Sequence, residues 1–354
     1  MHRFSGEVLT QEANFGKNMR ARFGAPFMDI RRIDLQRALF EKAQKLGVSV
    51  VLGEKVEVVD RERAEIITVS GRRATADLIV AADGVRSQCR ISHAQGPDLP
   101  YPTGDMVYRA VLNLDGVTDD ALREWISTPA VHIWLGPESH AVGYSMQSGY
   151  GYNLAFVAPD DLPAGVAKQT CPVDEAKQLL KNWDPALIRL LDTAESMEKW
   201  KLMRRDMLPT WVNDKSTLVF VGDACHPMLP YLAQGANSAL EDGAVLGRLL
   251  GHVKERNQLP HALKRYEKLR KSRMEKIVGA AAKQRENIHL HDGPEQEARD
   301  RVFQAQHRKE LKGPSPFRLV CPEAQQWLFG YDAYQEVEAS MNGKPFENGM
   351  ATSN

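Results

Sequence analysis

Hydrophobic positions along this chain change texture more than once. Phe27–Arg31 reads as a short strand, and the polar stretch before it carries no helix or strand signal. Asp34 is placed to cap a helix whose Leu35, Leu39, Ala43 and Leu46 share one face, with Gly47 as its stop. Val48–Leu52 is a β-branched apolar run, predicted as a buried strand. Lys55–Asp60 and Ala64–Val69 alternate like a small antiparallel excursion, and Asp77–Ala82 predicts a second buried strand.

From Gly104 the pattern shifts to short strand-like runs separated by Gly- and Pro-containing turns. Met106–Leu114, Val131–Leu135, His140–Met146 and Tyr152–Val157 predict a mixed or antiparallel sheet. Helical repeats follow at Asp174–Asn182 and Pro185–Ala194, with a returning strand at Glu198–Arg204. Thr217–Val221 is a further apolar run. Helices are expected from about Ala236 to His252, over Leu259–Leu290 and at Glu295–Glu310, and the tail from Gly313 to Asn354 is expected to be partly loose. The α/β texture thus occurs at 27–90 and again at 215–290, so the chain leaves one domain, builds a second and returns.

Composition narrows the function classes. The 354 residues are 43% hydrophobic and 26% charged, as in an ordinary globular protein. Lys+Arg and Asp+Glu are both 46, so no overall field gathers nucleic acid or an anionic membrane. The basic run Lys264–Arg273 is interleaved with Glu267 and reads as a solvated helix face. No apolar stretch reaches the roughly 18 residues of a membrane span, and residues 1–16 lack the apolar run of a signal peptide. The four cysteines stand far apart with no ligand spacing, which predicts reduced thiols and a cytoplasmic location. His226 has no second ligand at plausible spacing, so no metal is expected.

Two strand-to-loop junctions carry most of the chemistry. In the first, Asp77-Leu-Ile-Val-Ala-Ala-Asp-Gly-Val-Arg-Ser87, a strand delivers a carboxylate and a glycine to its carboxyl edge, where open α/β sheets bind ligands. Taken alone it reads first as a tight Asp-Gly turn, though Arg86, Ser87 and Arg90 are suited to phosphate. The second, Leu218-Val-Phe-Val-Gly-Asp-Ala-Cys-His-Pro-Met-Leu-Pro230, again ends a strand in a carboxylate. It continues into Gln234-Gly-Ala-Asn237, where small residues open a helix whose N-terminal N–H groups favour negative charge.

This pair resembles the DG and GD motifs of the class A FAD-dependent aromatic monooxygenases, the group of salicylate hydroxylase and para-hydroxybenzoate hydroxylase. Arg32-Ile-Asp-Leu35 resembles that family's Arg-x-Asp-Leu at a helix start, and the likeness runs over roughly residues 20 to 290. It implies an α/β fold: an FAD/NAD(P)-binding sheet, a mixed-sheet substrate domain and a helical C-terminal region. On that reading residues 1–100 are a truncated first part of the FAD-binding domain and 101–205 the substrate domain. Residues 206–292 then form the second FAD-binding part with its helices, and 293–354 a C-terminal helix and tail.

The resemblance implies FAD as cofactor, NADH or NADPH as co-substrate, O2, and a small phenol- or salicylate-like aromatic that is hydroxylated. Arg32 would contact the phosphate or adenosine side of FAD, and Asp83 and Gly84 would support the pyrophosphate and pyridine nucleotide. Asp223 would bind the ribityl or phosphate region, with Gly235, Ala236 and Asn237 beside the isoalloxazine. Tyr108-Arg109 resembles the family's Tyr-Arg pair, whose Arg lies near flavin and substrate. Tyr144 falls where relatives carry a Tyr-Pro pair that can meet a phenolate, with Ser145 in place of the proline. The family also opens on strand, GxGxxG and helix. No GxGxxG occurs in this sequence, so a βαβ unit of ~30 residues is expected to be missing and strand edges to be exposed. A related epoxidase or decarboxylating hydroxylase fits the same scaffold, and a non-catalytic remnant that binds a ligand or partner chain is the reading of another class.

Overall fold

A computed structural model describes residues 1–94, 98–113, 117–146, 151–309, 313–341 and 346. The chain divides into two units. One comprises Met1–Val50, Pro102–Leu202 and Gln284–Gln325; the other comprises Val51–Tyr101, Met203–Lys283 and Gln326–Asn354.

The first unit is built on a seven-stranded sheet ordered β1-β7-β8-β9-β6-β11-β10. Its strands are β1 (His2–Arg3), β6 (Tyr101–Asn113), β7 (Val131–Gly136), β8 (Ser139–Met146), β9 (Gly151–Pro159), β10 (Lys168–Cys171) and β11 (Met197–Arg204). The alternating runs from 106 to 157 and at 198–204 therefore form strands as expected; Leu114 lies outside the described residues. Strand pleating sends neighbouring side chains to opposite faces. One face carries Met106, Tyr108, Ala110, Leu112, Trp134, Ala141, Tyr152, Leu154 and Phe156 into a buried core. That core is closed by apolar residues of α4 (Asp120–Ser127), α5 (Val173–Leu179) and α6 (Pro185–Leu191), among them Ile126, Ala176 and Leu187. The other face carries Arg109 and Tyr144.

Several expectations for the N-terminal stretch are corrected. His2–Arg3 is a strand, paired in parallel with Trp134 and Leu135, and Phe15–Phe23 is a helix, α1. A two-residue strand is too short to show a period, and α1 buries only Met19, so neither left a hydrophobic repeat to read. Phe27–Arg31 is not a strand. Helix α2 spans Arg32–Lys45 with Arg31 at its cap, so Asp34 sits in the first turn and pairs with Arg31 at 2.7 Å instead of capping. Gly47 does close it, at φ 86°, a backbone region that only glycine enters freely.

The apolar face of α2 is present but uncovered. None of its residues is buried, and Leu39 and Leu46 are 49% and 70% exposed. Val48–Leu52 is extended but is not a strand, with Val48 54% exposed. A β-branched run becomes a strand only when a neighbour accepts its backbone hydrogen bonds, and none of the described strands lies beside it. Beyond α9 (Pro294–Ala305), part of the tail also departs from expectation. Pro322–Phe329 and Ala333–Met341 are helices, α10 and α11. Glu310 and residues 342–345 and 347–354 lie outside the described residues.

A buried histidine pair gives the first unit an acid-sensitive joint. His140 Nδ1 and His289 Nε2 lie 2.7 Å apart, so one nitrogen donates and the other must be unprotonated. Burial pushes both rings well below the ordinary histidine pKa, His140 further still because of its partner. In the unfolded chain each takes up a proton near pH 6.5. Their stabilising contribution is therefore complete above about pH 6.5 and is lost as pH falls toward the depressed folded values. The slope reaches up to about 2.7 kcal/mol per pH unit for the two together. Denaturant titrations at pH 7, 6 and 5 should show that loss, and His140→Phe should flatten it. An unchanged slope in the variant would remove the pair as its source.

The second unit contains a two-stranded parallel sheet of β5 (Ile79–Ala81) and β12 (Leu218–Phe220), and an antiparallel sheet ordered β2-β3-β4 (Val56–Asp60, Glu65–Thr68, Arg73–Thr75). The 55–69 excursion is thus confirmed, with one strand more. Helices α7 (Gly235–Gly251) and most of α8 (Leu259–Ile288) belong to this unit. Parallel sheets are normally covered on both faces, yet Val80 of β5 is 45% exposed. All four cysteines are buried as free thiols. Among the described residues, no helix is long and apolar enough to cross a membrane.

Candidate active site

The expected site residues fall into two groups, one in each unit. In the second unit the two motif strands are direct neighbours. β12 and β5 pair in parallel with Leu218, Val219 and Phe220 opposite Ile79, Val80 and Ala81, and the Val221 N–H donates to the Ala81 carbonyl at 3.1 Å. Parallel pairing sends both carboxyl ends to one edge. Asp83-Gly84 and Gly222-Asp223 therefore emerge side by side, although 139 residues separate the two aspartates... in sequence terms they are distant, and only the sheet joins them.

The second tip is a short 3-10 turn, Gly222–Ala224, with Asp223 exposed on it. Gly222 has φ 61°, and a Cβ there would sit 3.1 Å from the Ala239 Cβ, so conformation and a tight fit both favour glycine. Helix α7 opens just downstream at Gly235. Its cap residue Gln234 makes no side-chain cap bond and its first turn holds no acidic residue, while Ala236 and Asn237 are exposed. An uncapped helix N-terminus and an exposed carboxylate at the adjoining strand tip suit the anionic and hydroxyl groups of a dinucleotide. These residues fit FAD.

The first tip is more self-contained than the sequence suggests. Asp83 Oδ1 accepts the Ser87 hydroxyl at 2.5 Å, and Oδ2 accepts the N–H groups of Gln88 and Cys89 at 2.8 and 3.0 Å. Asp83 thus organises the start of α3 (Gln88–His93), and Ser87 caps it by accepting the Arg90 N–H. Gly84, at φ 76°, has open space where a Cβ would stand. Arg90 is corrected from a phosphate candidate to a buried structural cation. Its Nε and NH2 groups grip Asp98 at 2.6 and 2.9 Å, and Arg205 donates to the same carboxylate at 3.0 Å. Burial alone would raise the Asp98 pKa, but the two arginines hold it below the usual carboxylate range. Arg86 stays exposed.

Behind the second tip lies a buried charged cluster that sequence spacing did not disclose. His226 Nε2–H donates to Asp242 Oδ2 at 2.5 Å, and the Gly222 N–H donates to the same oxygen at 2.8 Å. Arg270 Nε donates to Asp242 Oδ1 at 2.7 Å. Burial pushes the Asp242 carboxyl upward, yet His226 and Arg270 hold it below its ordinary range. Cys225, His226 and Asp242 bring their ligand atoms within 4.8 Å of one another, but hydrogen bonds and the Arg270 cation already engage both Asp242 oxygens. The run 264–273 is accordingly not a wholly solvated face. Arg270 is fully buried, and Arg273 clamps Glu241 at 2.8 Å and lies 4.0 Å from the Tyr331 ring centroid. Asp242 lies in the helix that the second motif opens, beyond Asn237, whereas Arg270 gave no sign beyond its place in a basic run.

The second group lies on the first unit's sheet. Arg109 of β6 pairs with Ala155 of β9, and Tyr144 of β8 pairs with Asn153 of β9. Since Asn153 and Ala155 point the same way, Arg109, Asn153 and Tyr144 share a face. Tyr108 points to the opposite face, where its hydroxyl donates to Glu175 at 2.6 Å. Arg109 Nε donates to Asn153 Oδ1 at 2.7 Å. Burial raises the Tyr144 phenol pKa; the charges of Arg109 and Arg32 draw it back and that of Asp29 opposes them. Arg32, exposed at the first position of α2, therefore lies within electrostatic reach of the Tyr144 hydroxyl. Arg109 and Tyr144 thus give this face a half-buried cation and a protonated phenol, suited to a ring that carries negative charge.

Known proteins share this architecture. An FAD binding domain family matches residues 7–281. The FAD-dependent monooxygenase OpS4 of Beauveria bassiana is 42% identical over 347 residues, covering 96% of this chain and 80% of that protein. The 3-hydroxybenzoate 6-hydroxylase of Klebsiella oxytoca is 31% identical over 328 residues, covering 92% and 77%. Among solved structures, a salicylate hydroxylase substrate complex matches with a TM-score of 0.74 at 22% identity, covering 95% of this chain and 80% of that one. Klebsiella pneumoniae HpxO with FAD and uric acid matches with a TM-score of 0.74 at 21% identity, covering 93% and 79%.

Proposed function

We infer the roles of these residues from one premise: this chain belongs to the FAD-dependent aromatic monooxygenases. The reaction is hydroxylation of a small phenol- or salicylate-like aromatic with NADH or NADPH and O2. The observation that carries this reading is the parallel β5–β12 pair, which sets Asp83-Gly84 beside Gly222-Asp223. FAD held there would supply the redox chemistry, taking electrons from the pyridine nucleotide to activate O2.

The chain's own residues bind, orient and polarise. Asp223 would take a ribityl hydroxyl or the adjoining phosphate region, and the N–H groups of Gly235, Ala236 and Asn237 would favour the negative charge of the isoalloxazine. Asp83 holds the first tip in shape through Ser87, Gln88 and Cys89, and Gly84 leaves room for backbone to approach the pyrophosphate. Arg32 serves the phosphate or adenosine side. Arg109 draws the substrate's anionic group. The Tyr144 hydroxyl, kept protonated by burial, donates to a phenolate oxygen, and a ring held as phenolate is the more electron-rich target for hydroxylation. The free thiols at Cys89, Cys171, Cys225 and Cys321 support a reducing, cytoplasmic setting.

Purified protein should carry yellow flavin and consume NAD(P)H faster when 3-hydroxybenzoate or salicylate is added. Arg109→Ala should keep its flavin while slowing substrate-stimulated reduction or hydroxylation by about 10- to 100-fold, the worth of a charge-assisted hydrogen bond. Unchanged turnover in that variant removes Arg109 from the site. Absence of flavin from the wild-type protein, with none taken up on addition of FAD, overturns the reading as a whole.

A further inference from the structure

We infer that Asn153 is a positioning residue that sets the plane and preserves the charge of Arg109, and thereby makes the site select rings bearing an anionic substituent. The inference rests on the reading of the Arg109–Tyr144 face as the ring-binding surface. Asn153 is only 3% exposed, in the central strand β9, between β6 and β8. A buried amide needs a partner, and here the Arg109 Nε donates to its Oδ1 at 2.7 Å. Because a guanidinium is planar, fixing Nε fixes the direction of its two terminal nitrogens.

The choice of amide matters as much as its place. A carboxylate at 153 would hold Arg109 equally well and neutralise it. A neutral acceptor holds the group and leaves its full positive charge for a ligand. Ala155, directly opposite Arg109 on the same face, offers no competing polar atom. Tyr144 stands in register with Asn153, so the aimed cation and the phenol donor are adjacent across one strand.

The test measures dissociation constants of flavin-loaded wild-type, Asn153→Leu and Asn153→Asp protein for 3-hydroxybenzoate and its uncharged amide. Wild type should prefer the carboxylate. Asn153→Leu should lose about tenfold or more of carboxylate affinity, the scale of one charge-assisted hydrogen bond, with little change for the amide and the same flavin content. Asn153→Asp should also lose the preference at neutral pH and regain part of it as the new carboxyl is protonated. A merely structural role would weaken both probes alike with no such pH profile, and that result overturns the inference. So does a flavin-loaded wild type with no preference for the charged probe, or an Asn153→Leu protein that keeps it. Failure of the wild type to hold flavin at all strikes instead at the underlying reading, and this inference falls with it.

Discussion

Asp242→Ala should cost the second unit about 3–5 kcal/mol of stability. The carboxylate lies fully buried between His226, Arg270 and the Gly222 N–H. Its removal leaves the buried Arg270 guanidinium facing a cavity with one carboxylate neighbour, Glu241 at 2.8 Å, where it had two. Breaking a buried pair from one side carries the whole desolvation penalty of the survivor, which is why the cost exceeds that of an ordinary hydrogen bond. At roughly 2–4 °C per kcal/mol for a domain of this size, the melting temperature should fall by about 6–20 °C. Lys168→Ala is the matched control: Lys168 and Glu198 pair at 2.6 Å but are both about half exposed, so its loss should cost no more than about 1 kcal/mol. Calorimetry or thermal circular dichroism on the two variants decides the matter. Equal melting points would mean that the Asp242 cluster is not an energetic keystone.

Asp223→Ala should leave the fold intact and strip the protein of flavin. Unlike Asp242, Asp223 is exposed on its turn, so truncation creates no cavity. Its carboxylate stands at the edge where β5 and β12 both end. A hydrogen bond to a charged group is worth about 1.5–3 kcal/mol, which corresponds to 10- to 150-fold weaker FAD binding, enough to lose the cofactor during purification. Flavin absorbance per protein after gel filtration, with melting temperature measured alongside, gives the result. Asp83→Ala should do the reverse. It should lower stability by about 1 kcal/mol through the start of α3, since its oxygens already accept three internal donors. Normal flavin content in Asp223→Ala would refute the assignment of that residue.

Both residues are aspartates at the ends of short strands, and the amino-acid sequence alone treats them alike. Local pattern was enough for the elements with a clear period: the alternating strands from 106 to 157, the helices at 235–251 and 259–288, and the two Asp–Gly and Gly–Asp tips. These signals are local because side chains alternate every two residues in a strand and recur every 3.6 in a helix. What the pattern could not supply was partnership. Val48, Val50 and Val51 are residues a strand prefers, yet Val48–Leu52 is not one, because no described strand accepts its backbone. Arg90 reads as a phosphate ligand and Arg270 as part of a solvated face, yet both are buried on carboxylates, Asp98 and Asp242, that no local period pairs with them.

Most strands and helices are legible in the amino-acid sequence, and so are the Asp83-Gly84 and Gly222-Asp223 tips, since both are written in neighbouring residues. Folding alone makes the tips of β5 and β12 neighbours, buries Arg270 against Asp242 and turns Arg109 onto Asn153. The physical reason is the same in each case. A hydrogen bond or ion pair between residues tens of positions apart depends on where the intervening chain folds, and no local periodicity encodes that.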